Sequence, residues 1–218
     1  MDQKELDSLL QVMENPVRRR IIKRLAQEPG YALQLSKELG LGQPLVAKHL
    51  TIMENAGLIA STMEESPNGP RRKRYSLSRS VSITMDLGPN MFMERGRDIE
   101  ASRAKGPPTA SRLLGRVDEA VGKGKERERL SRLSDVLEDV DVRMREVEEE
   151  RLSLLMVRNR AMHEAAMIAT ELELDKRRVL FHILDEHDRA ADSISESLNI
   201  RELTVRKILE ELEKEFFR

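Results

Sequence analysis

The chain has 218 residues, a formal net charge of -1, 35% charged residues, 3% aromatics and no cysteine. That composition excludes disulfides, thiolate metal sites, cysteine nucleophiles and thiol redox switches. It also removes bulk basicity as a mark of nucleic-acid binding. Charge is nevertheless uneven: residues 1–80 hold 13 Lys+Arg against 9 Asp+Glu, and the rest holds 25 against 30. A mildly basic head on an acidic body allows nucleic-acid contact at one end. The start MDQKELDSLL has no signal pattern and no apolar run approaches membrane-spanning length. A cytoplasmic protein without a membrane partner is expected.

In chain order, Leu6, Leu9, Leu10 and Met13 at helical spacing predict a helix over 3–13. Asn15-Pro16 is a helix start, a capping side chain before the residue best tolerated at the first helical position. That helix runs through Val17, Ile21, Ile22 and Leu25 and is expected to stop near Pro29-Gly30. A short helix follows at about 32–39, closed by Gly40 as a left-handed cap. The next begins near Gln43-Pro44, reaches Ala56-Gly57 and turns Val46, Leu50 and Met53 inward.

Leu58–Met63 is strand-like, Ser66-Pro67-Asn68-Gly69-Pro70 is a concentrated turn signal, and Arg71–Leu77 is a second strand. Ile83, Met85 and Leu87 alternate as a possible third. Residues 94–126, rich in Gly, Pro and charge, are expected to be a linker. Leu130, Leu133, Leu137, Val140, Met144 and Val147 then step 3-4-3-4-3, losing phase near Arg151 and resuming less strictly through Leu155, Met162, Ala166 and Ala169. One helix packing on its own domain would explain this, but clean alternation with charged flanks favours a dimerising coiled coil. Finally, Arg18-Arg19, Leu25, Ser36, Leu39, Val46, Lys48, Leu50 and Glu54 recur without a gap as Arg177-Arg178, Leu184, Ser195, Leu198, Val205, Lys207, Leu209 and Glu213.

The expected fold class is mainly α with a small β-hairpin wing. Its domains are a winged helix-turn-helix at 1–93, a linker at 94–126, a long dimerisation helix at 127–173 and a second, wingless helix-turn-helix at 174–218. In a helix-turn-helix the second helix enters the major groove. Gln43, Pro44, Ala47, Lys48 and Thr51 face outward here. Gln suits adenine, Lys guanine or phosphate, and Ala a thymine methyl. Arg71, Arg72, Lys73 and Arg74, with Asn68 at the turn, suit phosphates or the minor groove. His49 is assigned to packing or phosphate. The second copy puts Glu202, Leu203 and Glu210 where the first has Gln43, Pro44 and Thr51. Leu203, Phe216 and Phe217 there offer apolar surface, so an oligomerisation or sensing role is expected.

These residues resemble a known family. NPVRRRIIKRLAQEPGYALQLSKELGLGQPLVAKHLTIMENAGLIAST followed by NGPRRKRYSLS is similar to the ArsR type of winged helix-turn-helix regulators. The layout is similar to archaeal members such as the sulfur-response regulator. The resemblance implies a dimeric repressor or activator with Gln43, Lys48 and the wing arginines at double-stranded DNA. The cysteine and histidine metal sites of sensing members, and the CxxC of that archaeal layout, have no counterpart; Gln27 and Gly30 stand at the CxxC positions. No cofactor or metal is expected. His182, Asp185 and Glu186 share a helix face that reads as solvated, and His163 lacks a second His at metalloprotease spacing. No nucleophile–base pair or phosphate-cradling loop marks an enzyme. The other reading is a winged-helix docking or scaffold module of the transcription machinery; an effector or protein partner stays open.

Overall fold

The computed structural model describes residues 1–66, 69–99, 108–122 and 124–216. The chain divides into two compact units. One comprises Met1–Asp86 and Met93–Arg112, the other Leu87–Phe92 and Leu113–Arg218. The fold is mainly helical with a small antiparallel sheet. No described helix is long and apolar enough to cross a membrane.

The first unit opens with α1, Gln3–Met13, whose N-terminus is closed by a capping box. Asp2 accepts from the Glu5 amide at 2.8 Å and the Glu5 carboxylate accepts from the Asp2 amide at 3.3 Å. In α2, Pro16–Leu25, the Asn15 side chain accepts from the amides of Val17 and Arg18. The helix ends at Leu25, short of the expected stop near Pro29-Gly30, and Gly30–Tyr31 forms a short strand, β1. The buried Arg18 guanidinium reaches back to the end of α1. It donates to the carbonyls of Val12 at 2.7 Å and Gln11 at 2.5 Å, carbonyls that a helix end leaves unpaired. The Asn-Pro-x-Arg start therefore fixes both the beginning of α2 and the end of α1.

Helix α3, Ala32–Leu39, ends on Gly40 at φ 65, and α4 spans Gln43–Asn55. The amide of Leu41 donates to the Ser36 carbonyl at 3.0 Å, and Ser36 Oγ donates to the Leu41 carbonyl at 2.6 Å. Strands β2 (Ile59–Ser66) and β3 (Gly69–Leu77) form the hairpin, and β1 pairs on the other edge of β3, giving the order β1-β3-β2. Leu9, Ile21, Leu35, Val46, Leu50, Met53 and Tyr75 close a single core under these elements. Each fully buried large aliphatic there contributes roughly 1.5–3 kcal/mol.

The expected third strand exists as β4, Val81–Gly88. It pairs with β5, Met91–Asp98, in a separate two-stranded sheet. Stretch 94–126, expected as a linker, thus contains the second half of β5 and a helix, α5, Pro108–Val121. Charge hid the strand, and of its four charged residues Glu94 and Asp98 are engaged from outside it. Asp98 accepts from Arg79 Nε at 3.0 Å and Glu94 from Gln3 at 2.6 Å.

In the second unit α6 is one uninterrupted helix, Glu126–Ile168, about 65 Å long at ~1.5 Å per residue. A 3-10 turn, Ala169–Glu171, leads into α7 (Leu174–Glu186), α8 (Ala191–Leu198) and α9 (Glu202–Phe216). The last three repeat α2, α3 and α4 in detail. Helices α3 and α8 are both eight residues long. Asn199 takes the left-handed conformation of Gly40, at φ 54. The Ile200 amide donates to the Ser195 carbonyl at 3.2 Å, and Ser195 Oγ donates to the Ile200 carbonyl at 2.7 Å. Their own core is closed by Val179, Leu180, Ile183, Ile194, Val205, Ile208 and Leu212.

Candidate nucleic-acid interface

Helix α4 is amphipathic in the sense a reading helix needs. Val46, His49, Leu50 and Met53 are buried, while Gln43, Pro44, Ala47, Lys48 and Thr51 are all exposed. Leu45, also exposed, joins this face and was not anticipated. No carboxylate lies among these six residues, and the first turn of α4 has no acidic residue. The Thr51 hydroxyl donates back to the Ala47 carbonyl at 3.1 Å, which leaves its methyl and its oxygen lone pairs for the outside. Gly42 precedes the helix and Pro44 stands in its first turn, so the amides at this end are few and uncovered by any side-chain cap.

His49 is placed differently from a phosphate contact. It is 7% exposed and its Nδ1 is buried without a hydrogen-bond partner. Burial first, then the charges of Arg18 and Lys48, pushes its pKa below the ordinary imidazole value. It belongs to the inner face of α4, because position 49 lies three residues after Val46 and four before Met53.

The wing cations are brought together on β3, but they are not equivalent. Arg71 is exposed and pairs with Glu65 at 3.2 Å. Lys73 faces Glu54 at the end of α4, 3.8 Å away, and Glu54 also accepts from Ser61 Oγ at 2.5 Å. Arg74 is tied to Glu64 at 3.0 Å, whose other oxygen accepts from the Tyr31 hydroxyl at 2.7 Å. The Arg72 guanidinium lies 5.5 Å from the centre of the Tyr31 ring, a cation–π distance. These contacts hold the Glu64 carboxyl below the usual carboxylate range, through the Tyr31 hydrogen bond and then Arg74. The Tyr31 hydroxyl is raised for the same reason. Arg74 and Arg72 thus brace the wing on β1, and Arg71 stands outermost in sequence toward the turn. Asn68 lies outside the described residues.

Tyr31, Glu54 and Glu64, which position the wing, were missed by sequence reasoning. The signal was the register, which sets Glu64 opposite Arg72 and Tyr31 opposite Arg74. It becomes readable only once β1 is known to pair with β3.

On the second copy, Glu202, Leu203, Arg206 and Glu210 occupy the corresponding exposed face of α9. Arg206 is held by Glu202 at 2.6 Å, and Leu203 is 76% exposed. Phe216 is exposed, and Phe217 lies outside the described residues. No group of His, Asp and Glu that could hold a metal occurs among the described residues. Asp185 is engaged by Arg158.

Comparison with known proteins agrees with this geometry. The family described as "Bacterial regulatory protein, arsR family" matches residues 15–61, from the cap of α2 into β2. A protein of Methanocaldococcus jannaschii named "Uncharacterized HTH-type transcriptional regulator MJ0229" is 32% identical over 76 residues, covering 35% of this chain and 78% of that protein. A solved structure titled as an ArsR family transcriptional regulator is 22% identical, covering 36% of this chain and 75% of that one. Its TM-score is 0.30, too low to weigh in the assignment. With the matched span on the helix trio and the archaeal relative covered over most of its length, the chain belongs to the ArsR family of helix-turn-helix transcription regulators.

Proposed function

We propose that this regulator binds a specific double-stranded DNA sequence as a homodimer, in the cytoplasm and without enzymatic activity. The observation that carries the reading is the carboxylate-free exposed face of α4, Gln43, Pro44, Ala47, Lys48 and Thr51, next to a strand bearing four cations. Lys48 and Gln43 read base edges, and Arg71 contacts the backbone. Leu130, Leu137, Met144 and Val147 are exposed on α6, and Leu133 and Val140 half-buried, so much of the seam is open to a second copy. The first unit is the reader. The second helix-turn-helix, with Glu202 and Glu210 where a phosphate-lined groove demands cations, serves oligomerisation or sensing.

Selection of bound duplexes from a random pool tests this directly. A pseudopalindromic consensus is expected, with half-sites on the order of 10 bp apart. Binding should weaken with salt, and Arg71→Ala should flatten the salt slope by about one unit. An unselective pool, or salt-independent binding, would leave the chain as a protein-docking module instead.

A further inference from the structure

Within the second unit, a cleft of about 590 Å³ opens between the β4–β5 turn, α6 and α7. That lies inside the size range of small-molecule sites, ~300–1,000 Å³. Its walls include Met91 and Phe92 from the turn, Met162 from α6, and Phe181, His182 and Glu186 from α7. Phe92 is 60% exposed, and Met91, Met162 and Phe181 are half-buried. Phe181 packs on the core of this unit, whereas Met91, Phe92 and Met162 are not part of it. Two aromatic rings and two thioethers thus line one concave surface. The turn is seated against α6: Asn90 Nδ2 lies 3.4 Å from His163 Nδ1, and a Cβ on Gly88 would stand 3.8 Å from the Asn159 side-chain amide.

Charge at the cleft is one-sided. Arg178 donates to the Leu198 carbonyl at 2.7 Å and pairs with Asp175 at 3.4 Å, so it is held on its own helices. Asp185 is engaged by Arg158. Glu186 is exposed and has no ion pair among the described residues. It stands in the last turn of α7, at the negative end of the helix dipole. His182, one turn earlier, has its Nε2 buried without a hydrogen-bond partner among the described residues. A polar atom left in that state marks a place that a ligand can complete.

We infer that this cleft binds a small organic cation with an apolar, aromatic-sized body. The positive centre faces Glu186, and the rings of Phe92 and Phe181 add cation–π attraction. The unbranched side chains of Met91 and Met162 adapt to the outline of the body. An anion would meet Glu186 and the carboxyl end of α7, and a neutral apolar molecule would leave both unanswered. The inference gives a ligand class to the sensing role proposed for the second helix-turn-helix, and rests on that reading for its purpose but not for its chemistry. A ligand there would touch Met91 and Phe92, from which β5 continues into the first unit.

Calorimetry of the full chain without DNA tests this with two probes of the same shape and opposite charge, tetraphenylphosphonium and tetraphenylborate. The cation should bind on the order of tenfold more tightly than the anion. Glu186→Gln should weaken the cation roughly tenfold, and Phe92→Ala by a similar factor. Glu213→Gln, the same charge change at an exposed site on α9, should alter nothing. Glu186 and Phe92 are both exposed, so neither variant disturbs the core. No binding of tetraphenylphosphonium, equally tight binding of tetraphenylborate, or equal losses in Glu186→Gln and Glu213→Gln would each overturn the site. None of these results bears on the duplex selection above. Conversely, a selected duplex whose affinity ignores saturating tetraphenylphosphonium would remove the sensing role and leave the site standing.

Discussion

The chain carries the same helix trio twice, and the two copies have kept their inside while exchanging their outside. Val46 and Val205 are both fully buried, as are Leu35 and Ile194. Ser36 and Ser195 make the same hydrogen bond across the turn. The outward residues share no such logic: Gln43, Pro44 and Thr51 in the first copy are replaced by Glu202, Leu203 and Glu210 in the second. Core packing tolerates only a few shapes, whereas an exposed face answers only to what it meets. The comparison teaches that a helix-turn-helix core does not dictate the chemistry of its exposed face, which has to be argued residue by residue.

Breaking the first copy at its entry should have the largest effect. Arg18→Ala removes a buried guanidinium and leaves carbonyls at the end of α1 unpaired. A loss of about 2–3 kcal/mol is expected in urea unfolding. The equivalent Arg177→Ala should cost about 1 kcal/mol or less, since no such helix end is closed there. Equal losses would mean that the Arg18 bonds add nothing specific to the first copy.

The reading surface separates the copies next. Lys48→Ala should weaken binding to the selected duplex by roughly 1–3 kcal/mol and relax sequence preference, whereas Lys207→Ala should change neither. Fluorescence anisotropy against the consensus and a scrambled duplex measures both. Loss of preference at Lys207→Ala would make the second copy a reader.

The shared turn should respond alike in both. Ser36→Ala and Ser195→Ala each remove one hydroxyl donor to a carbonyl five residues on. About 1 kcal/mol is expected for each in chemical unfolding. A difference beyond about twofold would show that one turn is held by something else.

The smallest effect is one of pH, and it belongs to the first copy alone, because Ile208 stands where that copy has His49. Burial keeps His49 neutral in the fold with its pKa lowered. The unfolded chain therefore takes up the proton first as pH falls. The stabilisation is complete above the unfolded value near ~6.5 and is lost as pH drops toward the lower folded value. Melting curves between about pH 7.5 and 5.5 should show this slope, and His49→Ile should flatten it. An unchanged slope in the variant would assign the acid sensitivity to other groups.

Some features were legible because one short segment determines them. Asn15-Pro16 starts α2, Gly40 ends α3, and the inward spacing of Val46, Leu50 and Met53 orients α4. These are local effects of capping, left-handed geometry and helical periodicity. The exposed face of α4, Leu45 apart, followed from the same spacing. Strand β5 did not, since its charged residues mimic a linker until Arg79 and Gln3 are found beside them.

By itself the sequence determined the helix trio, its duplication and which residues of α4 face outward, because periodicity and caps act within a dozen residues. Only the tertiary structure decided that β1 pairs with β3 and that Arg74 and Arg72 brace the wing through Glu64 and Tyr31. Each of those depends on a partner distant in sequence, and no local pattern specifies which distant group a side chain will meet.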